Sequence, residues 1–272
     1  MTLFVVVAVH NRRTFTQQFL ESVRAQVCHE SVRVCVVDDG SSDGTAEYLS
    51  SQVDVDVVRG DGHLWWAGSV RRGLEFLRGI AGPDDWVYLG NNDTVLDAHH
   101  FSKLLEVANS GSVVGSVAKE IWPDGTVNPV SGGFTIEPNK LLVRNLAVGS
   151  PEPVDALAGR GILLPSNAAD PSLFKPHRMP QHFADLAFTA ALKSRGWELQ
   201  VVPDAQSTQL ERAGSSVELA PRIRDFLSKK SQMYLPALWN FWWDLSTPQQ
   251  RLSLPVRFVS RGVSQFVSGS YR

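Results

Sequence analysis

The chain is predicted to fold as an α/β protein: a mostly parallel sheet flanked by helices, a more antiparallel second portion and a C-terminal helical extension. Three observations carry that expectation. Up to about residue 110, short β-branched runs alternate with segments whose apolar residues recur every three or four positions. After Val113 the rhythm changes to hairpin and short-strand signals. The 272 residues are 43% hydrophobic and 20% charged, enough to bury one large core with a modest appendage.

The first strand is read over Leu3 to Val9. This apolar run has no basic flank before it and meets the polar His10-Asn11-Arg12-Arg13 too soon to span a bilayer, so it reads as a strand and not as a signal. A helix follows with Phe15, Phe19, Val23 and Val27 every four residues. Val32 to Val37 is a second strand, Gly40-Ser41-Ser42-Asp43-Gly44 turns into a short helix over Thr45 to Leu49, and Val55 to Val58 is a third strand. The next helix has Ala67, Val70, Leu74 and Leu77 on one face. Pro83-Asp84-Asp85 ends that segment, Trp86 to Leu89 forms the fourth strand, and Asp97 is placed to cap a helix burying Phe101, Leu104, Leu105 and Ala108. Further on, Ile121 to Val127 reads as a hairpin, and Gly132 to Ile136 and Ile162 to Leu164 as strands. Residues 185–195 read as a helix stopped by Gly196, and Leu199 to Val202 as a return to the sheet. From about Glu218, Trp239, Phe241, Trp242 and Trp243 are interspersed with Arg222, Arg224, Lys229 and Lys230, an amphipathic helical pattern. The division is therefore 1–215 for the main domain, in halves 1–110 and 111–215, and 216–272 for the extension.

A formal net charge of −2 supplies no global field for nucleic acid, which is not expected as a partner. Cys28 and Cys35 are too few for a disulfide framework and lack zinc-site spacing, which fits a reducing cytoplasm.

Acidic residues stand where ligands gather in such sheets, beyond the carboxyl ends of strands. Asn91-Asn92-Asp93-Thr94 follows the fourth strand, and Asp93 there can hold magnesium or manganese against a diphosphate; the same residues also make a plain turn. Asp38 and Asp39 follow the second strand and can accept hydrogen bonds from a base or ribose, or form a polar turn, while Asp43 reads as a helix cap. In Gly60-Asp61-Gly62-His63-Leu64-Trp65-Trp66-Ala67-Gly68 two tryptophans either wall a pocket or pack on the next helix. Asp185 opens a later helix, a place suited to an N-cap or a reactive carboxylate. Arg160, between two glycines, can reach a phosphate or the acceptor or stay solvated, and the histidines show no metal-ligand spacing.

Taken together these pieces resemble family-2 glycosyltransferases of the GT-A fold, in particular their rhamnosyltransferase-like branch, over roughly residues 3 to 215. The resemblance rests on Val7-Ala8-Val9-His10-Asn11-Arg12, Val36-Val37-Asp38-Asp39-Gly40-Ser41-Ser42-Asp43-Gly44-Thr45, Leu64-Trp65-Trp66-Ala67-Gly68 and Asn91-Asn92-Asp93-Thr94-Val95-Leu96-Asp97. It continues in Gly159-Arg160-Gly161-Ile162-Leu163-Leu164-Pro165 and His182-Phe183-Ala184-Asp185-Leu186-Ala187-Phe188. It implies an inverting transfer of a sugar from a nucleoside diphosphate to an acceptor hydroxyl, with residues 1–110 binding the nucleotide-sugar and 111–215 on the acceptor side.

Residue by residue, the resemblance implies a donor pocket of His10, Asn11, Arg12, Asp38, Asp39, Trp66, Gly68 and Asn92, with Asp93 as metal ligand for Mg2+ or Mn2+ and Asp185 as general base. Asn91 stands where the family's metal motif has its first acid, Ala184 where relatives often have an acid, and Gln206-Ser207-Thr208-Gln209 where many carry a histidine. The implied donor is a dTDP-sugar, rhamnose first, or a UDP-sugar, and the acceptor a glycan or lipid-linked sugar in polysaccharide assembly. The expected location is cytoplasmic, with the C-terminal helices available to pack on the core, to contact the inner face of a membrane peripherally or to form a homodimer. Two rivals are a nucleotidyltransferase acting on sugar phosphates, which would want a Gly-rich basic loop where His10-Asn11-Arg12 stands, and a non-catalytic member of the fold that binds a glycan or partner.

Overall fold

The computed structural model describes residues 1–122, 125–130, 133–149, 153–210 and 223–268. In chain order the first half runs β1 (Thr2–Val9), α1 (Arg13–Arg24), β2 (Ser31–Asp38), α2 (Thr45–Ser50), β3 (Val55–Arg59), α3 (Trp65–Leu77), β4 (Trp86–Asn91), β5 (Thr94–Leu96) and α4 (His100–Val107). There follow β6 (Ser112–Ile121), β7 (Val127–Val130), β8 (Gly133–Glu137), β9 (Leu142–Asn145), β10 (Ala156–Leu157), β11 (Ile162–Pro165), α5 (Ala184–Ser194) and β12 (Glu198–Gln209). The helices α6 (Ile223–Leu227), α7 (Leu235–Leu245) and α8 (Pro248–Ser268) complete the chain.

Strands covered on both faces must be apolar on both, which is why β1 reads as an unbroken hydrophobic run. Leu3, Val5 and Val7 pack with Phe19 and Leu20 of α1, Leu49 of α2 and Phe101 and Leu104 of α4. Phe4 and Val6 point the other way and pack with Val70, Leu74 and Leu77 of α3. The main sheet has the order β3-β2-β1-β4-β11-β6-β12-β5, with β7 beside β6. Strands β3, β2, β1 and β4 are parallel; β11 is antiparallel to both β4 and β6, and β12 is parallel to β6. A second, antiparallel sheet has the order β10-β8-β9. The expected class is the one observed.

The tail packs inward: Ala237, Phe241 and Trp242 of α7 and Leu254 of α8 join the cluster that contains α3 and α5, and Phe241 lies 5.0 Å from the Phe183 ring. Asp244 fixes α7 through ion pairs with Arg178 (2.8 Å) and Lys175 (3.1 Å).

Several local expectations are corrected. Val27 lies beyond the end of α1 and is exposed, and Leu20 takes its place on the buried face. Asp97 does not cap α4; its carboxylate pairs with Lys119 of β6 at 2.9 Å, because a strand that is distant in sequence passes beside it. The strand expected over Leu199 to Val202 continues to Gln209 through a bulge between Val201 and Gln206. β5, only three residues long, went unread. Pro123 and Asp124 of the expected hairpin, Gly132, Glu218 and Arg222 lie outside the described residues.

Two buried contacts generate tests. A Cβ on Gly73 would stand 2.5 Å from Cγ1 of Val6, so Gly73→Ala forces α3 off the sheet and is expected to cost about 1–3 kcal/mol in urea unfolding despite alanine's better helix propensity. His100 is buried with its Nε2 3.0 Å from the Tyr88 hydroxyl, and burial lowers its pKa to about 4 against a weaker opposing hydrogen bond to the Gln206 carbonyl. A depressed histidine contributes stability above its unfolded pKa of about 6.5 that is lost as pH falls toward the folded value. Stability should therefore fall between about pH 6.5 and about pH 4, and His100→Gln should flatten that slope in pH-dependent denaturation.

Candidate functional site

The registers bring the polar strand ends to one edge. Val9 pairs with Asp38 and Ala8 with Asn91, so His10, Asp39 and Asn92 follow on neighbouring strands. Because β11 runs antiparallel to β4, with Ile162 opposite Leu89, the turn Gly159-Arg160-Gly161 leads into β11 at the same edge. β12 ends there as well, with Gln209 opposite Thr94.

Asp38 and Asp39 are both buried, and their carboxylates are structural hubs. Asp38 Oδ1 accepts the Ser41 N–H at 3.0 Å. Asp39 Oδ1 accepts the Gly62 N–H at 2.8 Å and its Oδ2 accepts the Trp65 N–H at 3.0 Å, so this side chain ties the β2 turn to the start of α3. His10 Nδ1 donates to the Asp39 carbonyl at 2.5 Å. Asn11 donates its N–H to Ser41 Oγ at 2.7 Å and accepts the Ser42 N–H at 2.8 Å. Asn11 and Arg12 are both left-handed, with φ of 57° and 67°, and Trp65 has φ of 58°. Side chains rarely adopt that conformation, at a cost of roughly 1–3 kcal/mol each, and such strain gathers at ligand sites. Asp43 does more than assist α2: it accepts from Thr45 and from the Arg13 N–H, joining the starts of α1 and α2. Burial alone would raise its pKa, but those hydrogen bonds outweigh it and hold the carboxyl below its ordinary range.

Of the Asn91-Asn92-Asp93 motif, each side chain does something different. Asn92 is buried, and its amide donates to Thr16 Oγ1 at 3.0 Å, anchoring the turn to α1. Asn91 Oδ1 accepts the Trp66 indole N–H at 2.8 Å. Asp93 stands beside Arg12, whose Nη1 lies 3.3 Å from its Oδ2.

Trp66 joins the halves of the site. Its ring packs edge-on to Phe174, centroids 5.9 Å apart, and lies against Gly159, where an added Cβ would meet the indole at 2.6 Å and the Asp185 Cβ at 3.0 Å. The Gly159 N–H donates to Asp185 Oδ2 at 2.7 Å. Asn91, Trp66, Gly159 and Asp185 thus form one run of contacts. Another returns through Arg160, whose Nη1 bonds Gln209 Oε1 at 2.5 Å, next to Leu210, whose N–H donates to the Asp93 carbonyl at 2.7 Å. Arg160 is therefore engaged and not simply solvated, and its partner Gln209 ends the stretch where the resemblance places a histidine in many relatives. Gly68 sits apart from this run, lining a cleft between α3 and Pro176.

Asp185 lies in the first turn of α5; the N-cap is Phe183, left-handed at φ 68°. Burial raises the Asp185 pKa, opposed by the Gly159 and Leu186 N–H groups and by the charge of Arg160.

Among the described residues no three His, Cys, Asp or Glu side chains converge as a metal cage. Magnesium and manganese need only one or two protein carboxylates when phosphate oxygens and water complete the shell. Asp93 fits that shared arrangement, and the set does not fit an ion held by protein alone.

The chain belongs to glycosyl transferase family 2: the family model matches residues 4–160, and so ends before Asp185. No curated protein matches. Among solved structures, GalNAc-T7 with UDP, GalNAc and Mn2+ superposes with a TM-score of 0.63 at 15% identity, covering 88% of this chain and 47% of that one. The mannosyltransferase PcManGT from Pyrobaculum calidifontis, in complex with GDP-Man and Mn2+, gives 0.56 at 16% identity, covering 96% and 75%. S. aureus TarS 1–349 with UDP-GlcNAc gives 0.53 at 16%, covering 89% and 71%. The chain thus spans about half the length of GalNAc-T7 and about three quarters of PcManGT. At these identities the likeness is one of fold, the GT-A fold of glycosyltransferases.

Asp39→Ala leaves the Gly62 and Trp65 N–H groups without their acceptor. At about 1–3 kcal/mol for each unsatisfied group, thermal and urea unfolding should show a loss of about 2 kcal/mol or more.

Proposed function

We propose that the protein is an inverting glycosyltransferase that moves a sugar from a nucleoside diphosphate to an acceptor hydroxyl by direct displacement at the anomeric carbon. The observation that carries this reading is the single Trp66 indole set between Asn91, beside the diphosphate end, and Gly159 with Asp185. In this reading Trp66 stands between a leaving-group side at Asn91 and a base side at Asp185, the two-sided arrangement that in-line attack requires. The turn at His10 and Asn11, with the buried carboxylates of Asp38 and Asp39, is assigned to the nucleoside, Arg12 and Asp93 to the diphosphate. The ion that Asp93 would share with the phosphates, Mg2+ or Mn2+, supplies charge neutralisation as the glycosidic bond breaks.

Asp185 is assigned as general base. A sugar hydroxyl is a poor nucleophile, and a carboxylate whose pKa is raised by burial is a better proton acceptor than one in water. Gly159 and Leu186 hold its oxygens with N–H donors, so its orientation is set before the acceptor arrives.

The donor is assigned first as rhamnose on thymidine diphosphate, from the motif resemblance, and second as a UDP-sugar. The ligands named for the solved relatives support a nucleoside diphosphate sugar as the class. The acceptor is assigned as a glycan or lipid-linked sugar in polysaccharide assembly, with the protein acting in the cytoplasm. No helix among the described residues is long and apolar enough to cross a membrane. Leu252, Val256 and Val259 of α8 are exposed and offer an apolar stripe for peripheral contact with a membrane or for a homodimer.

A screen of nucleoside diphosphate sugars with and without manganese, read by calorimetry and by release of the nucleotide, should find one donor bound and turned over. Binding of none would sink the reading. Asp185→Asn is expected to keep donor affinity and lose about 10²–10⁴-fold in transfer; unchanged transfer would remove Asp185 from the base role.

The acid limb of kcat/KM should lie above the ordinary carboxylate range and disappear in that variant. The same raised pKa means that the ionised Asp185 lowers fold stability at pH values above its folded pKa, a cost relieved as pH falls through it.

A further inference from the structure

Against the outer face of α3 lies a cleft of about 360 Å³ that the transfer reading leaves unused, within the range of small-molecule sites, roughly 300–1,000 Å³. Three segments form it: the first turns of α3, the stretch from Pro176 to Pro180 that leads to α5, and Lys229 just after α6. Its charged lining is Arg71, Arg72 and Lys229 against one acid, Glu75, and Glu75 is already paired with Arg71 at 2.9 Å. No carboxylate among the described residues pairs with Arg72 or Lys229. Lys229 Nζ instead stands 5.7 Å from the centroid of Trp65, and His63 and His177 add ring N–H donors. Two cations with no carboxylate partner among the described residues, imidazoles and an aromatic wall are the chemistry that takes up a phosphate joined to a sugar or other apolar-faced group.

Position connects the cleft to the reaction space. Trp65 lines it and is followed by Trp66, the ring that touches Gly159 and Asn91. The Pro180 carbonyl accepts the Ala67 N–H at 2.9 Å, and the Gln181 side chain accepts the Trp66 N–H at 3.3 Å, so the cleft wall runs continuously toward Asp185. His182 Nε2 bonds the Lys230 carbonyl at 3.0 Å and holds the Lys229 segment to the same wall. The diphosphate of the donor is assigned elsewhere, at Arg12 and Asp93.

We propose that this cleft binds a phosphate or diphosphate carried by the acceptor, and hence that the enzyme glycosylates an anionic, phosphate-bearing acceptor. The inference rests on the glycosyltransferase reading above. Two sources share the chemistry, an isoprenyl diphosphate-linked sugar and a soluble phosphodiester glycan.

The test titrates the full chain with inorganic diphosphate, in EDTA, with UDP and dTDP both saturating so that the donor pocket is filled. Diphosphate should still bind, at least tenfold more weakly in Arg72→Gln/Lys229→Gln, more tightly in Glu75→Gln, and less at higher salt. Loss of binding once the nucleotides are present, or equal affinity in the double variant, overturns the proposal. Should the double variant fail to fold by circular dichroism, Glu75→Gln decides alone, and unchanged or weaker affinity there overturns it. If neither nucleotide binds the native chain with or without manganese, the glycosyltransferase reading fails instead. Competition of bound diphosphate by vesicles carrying an isoprenyl diphosphate, or by a soluble glycerol phosphate oligomer, then identifies the source. Competition by neither overturns the assignment to an acceptor.

Discussion

The site depends on one reversal of chain direction, the antiparallel placement of β11 between β4 and β6. A further parallel strand would bring its carboxyl end to this edge and send its amino end away. Reversal instead sets the amino end of β11, with Gly159 and Arg160, beside the last residues of β4. The glycine at 159 then follows from space, because the Trp66 ring and the Asp185 Cβ already occupy the volume a side chain would need. A substitution there would part the tryptophan from the carboxylate, and so separate the two sides of the proposed reaction.

Around that junction the backbone is held in costly conformations by hydrogen bonds. Asn11, Arg12 and Trp65 are left-handed without being glycine, and each is tied by a short contact: Ser41 and Ser42 to Asn11, Asp93 to Arg12, Asp39 to Trp65. Strain of roughly 1–3 kcal/mol per residue persists only where the surroundings over-determine it. The buried carboxylate of Asp39, accepting two N–H groups, is therefore a condition for α3 to begin where Trp66 can reach Asn91. Stability and proposed activity meet in this residue, and α3 transmits the consequence to both the donor side and the basic cleft.

Local patterns carried most of the fold. The apolar runs of β1, β2 and β4 and the four-residue spacing of α3 are consequences of burial on two faces, visible to any window of a dozen residues. The positions of Asp93 after β4 and of Asp185 in the first turn of α5 were legible because the signals at strand and helix ends are short. What escaped notice depends on partners remote in sequence. Arg160 stood open between a phosphate, the acceptor and solvent until β12 delivered Gln209, Asp97 looked like a cap until β6 delivered Lys119, and the bond from Asn92 to Thr16 of α1 has no signal in the residues around it. Strand β5 has three residues and exists because β12 pairs with it, so its own sequence carries too little signal.

The two carboxylates given opposite tasks also sit in opposite surroundings. Asp93 has a guanidinium at 3.3 Å, a cationic setting that suits the proposed anchor for a diphosphate and its cation. Asp185 is set among Gly159, Trp66 and the start of α5, where desolvation raises its pKa and two backbone N–H groups and the charge of Arg160 temper the rise. A carboxylate kept from water gains affinity for a proton. Exchange of the two assignments would place the base beside the leaving group and the anchor where anionic phosphate has no fixed partner but Arg160. The burial of Asp185 supports the proposed assignment of the proton to it, and the guanidinium beside Asp93 supports the proposed assignment of that residue to the phosphates.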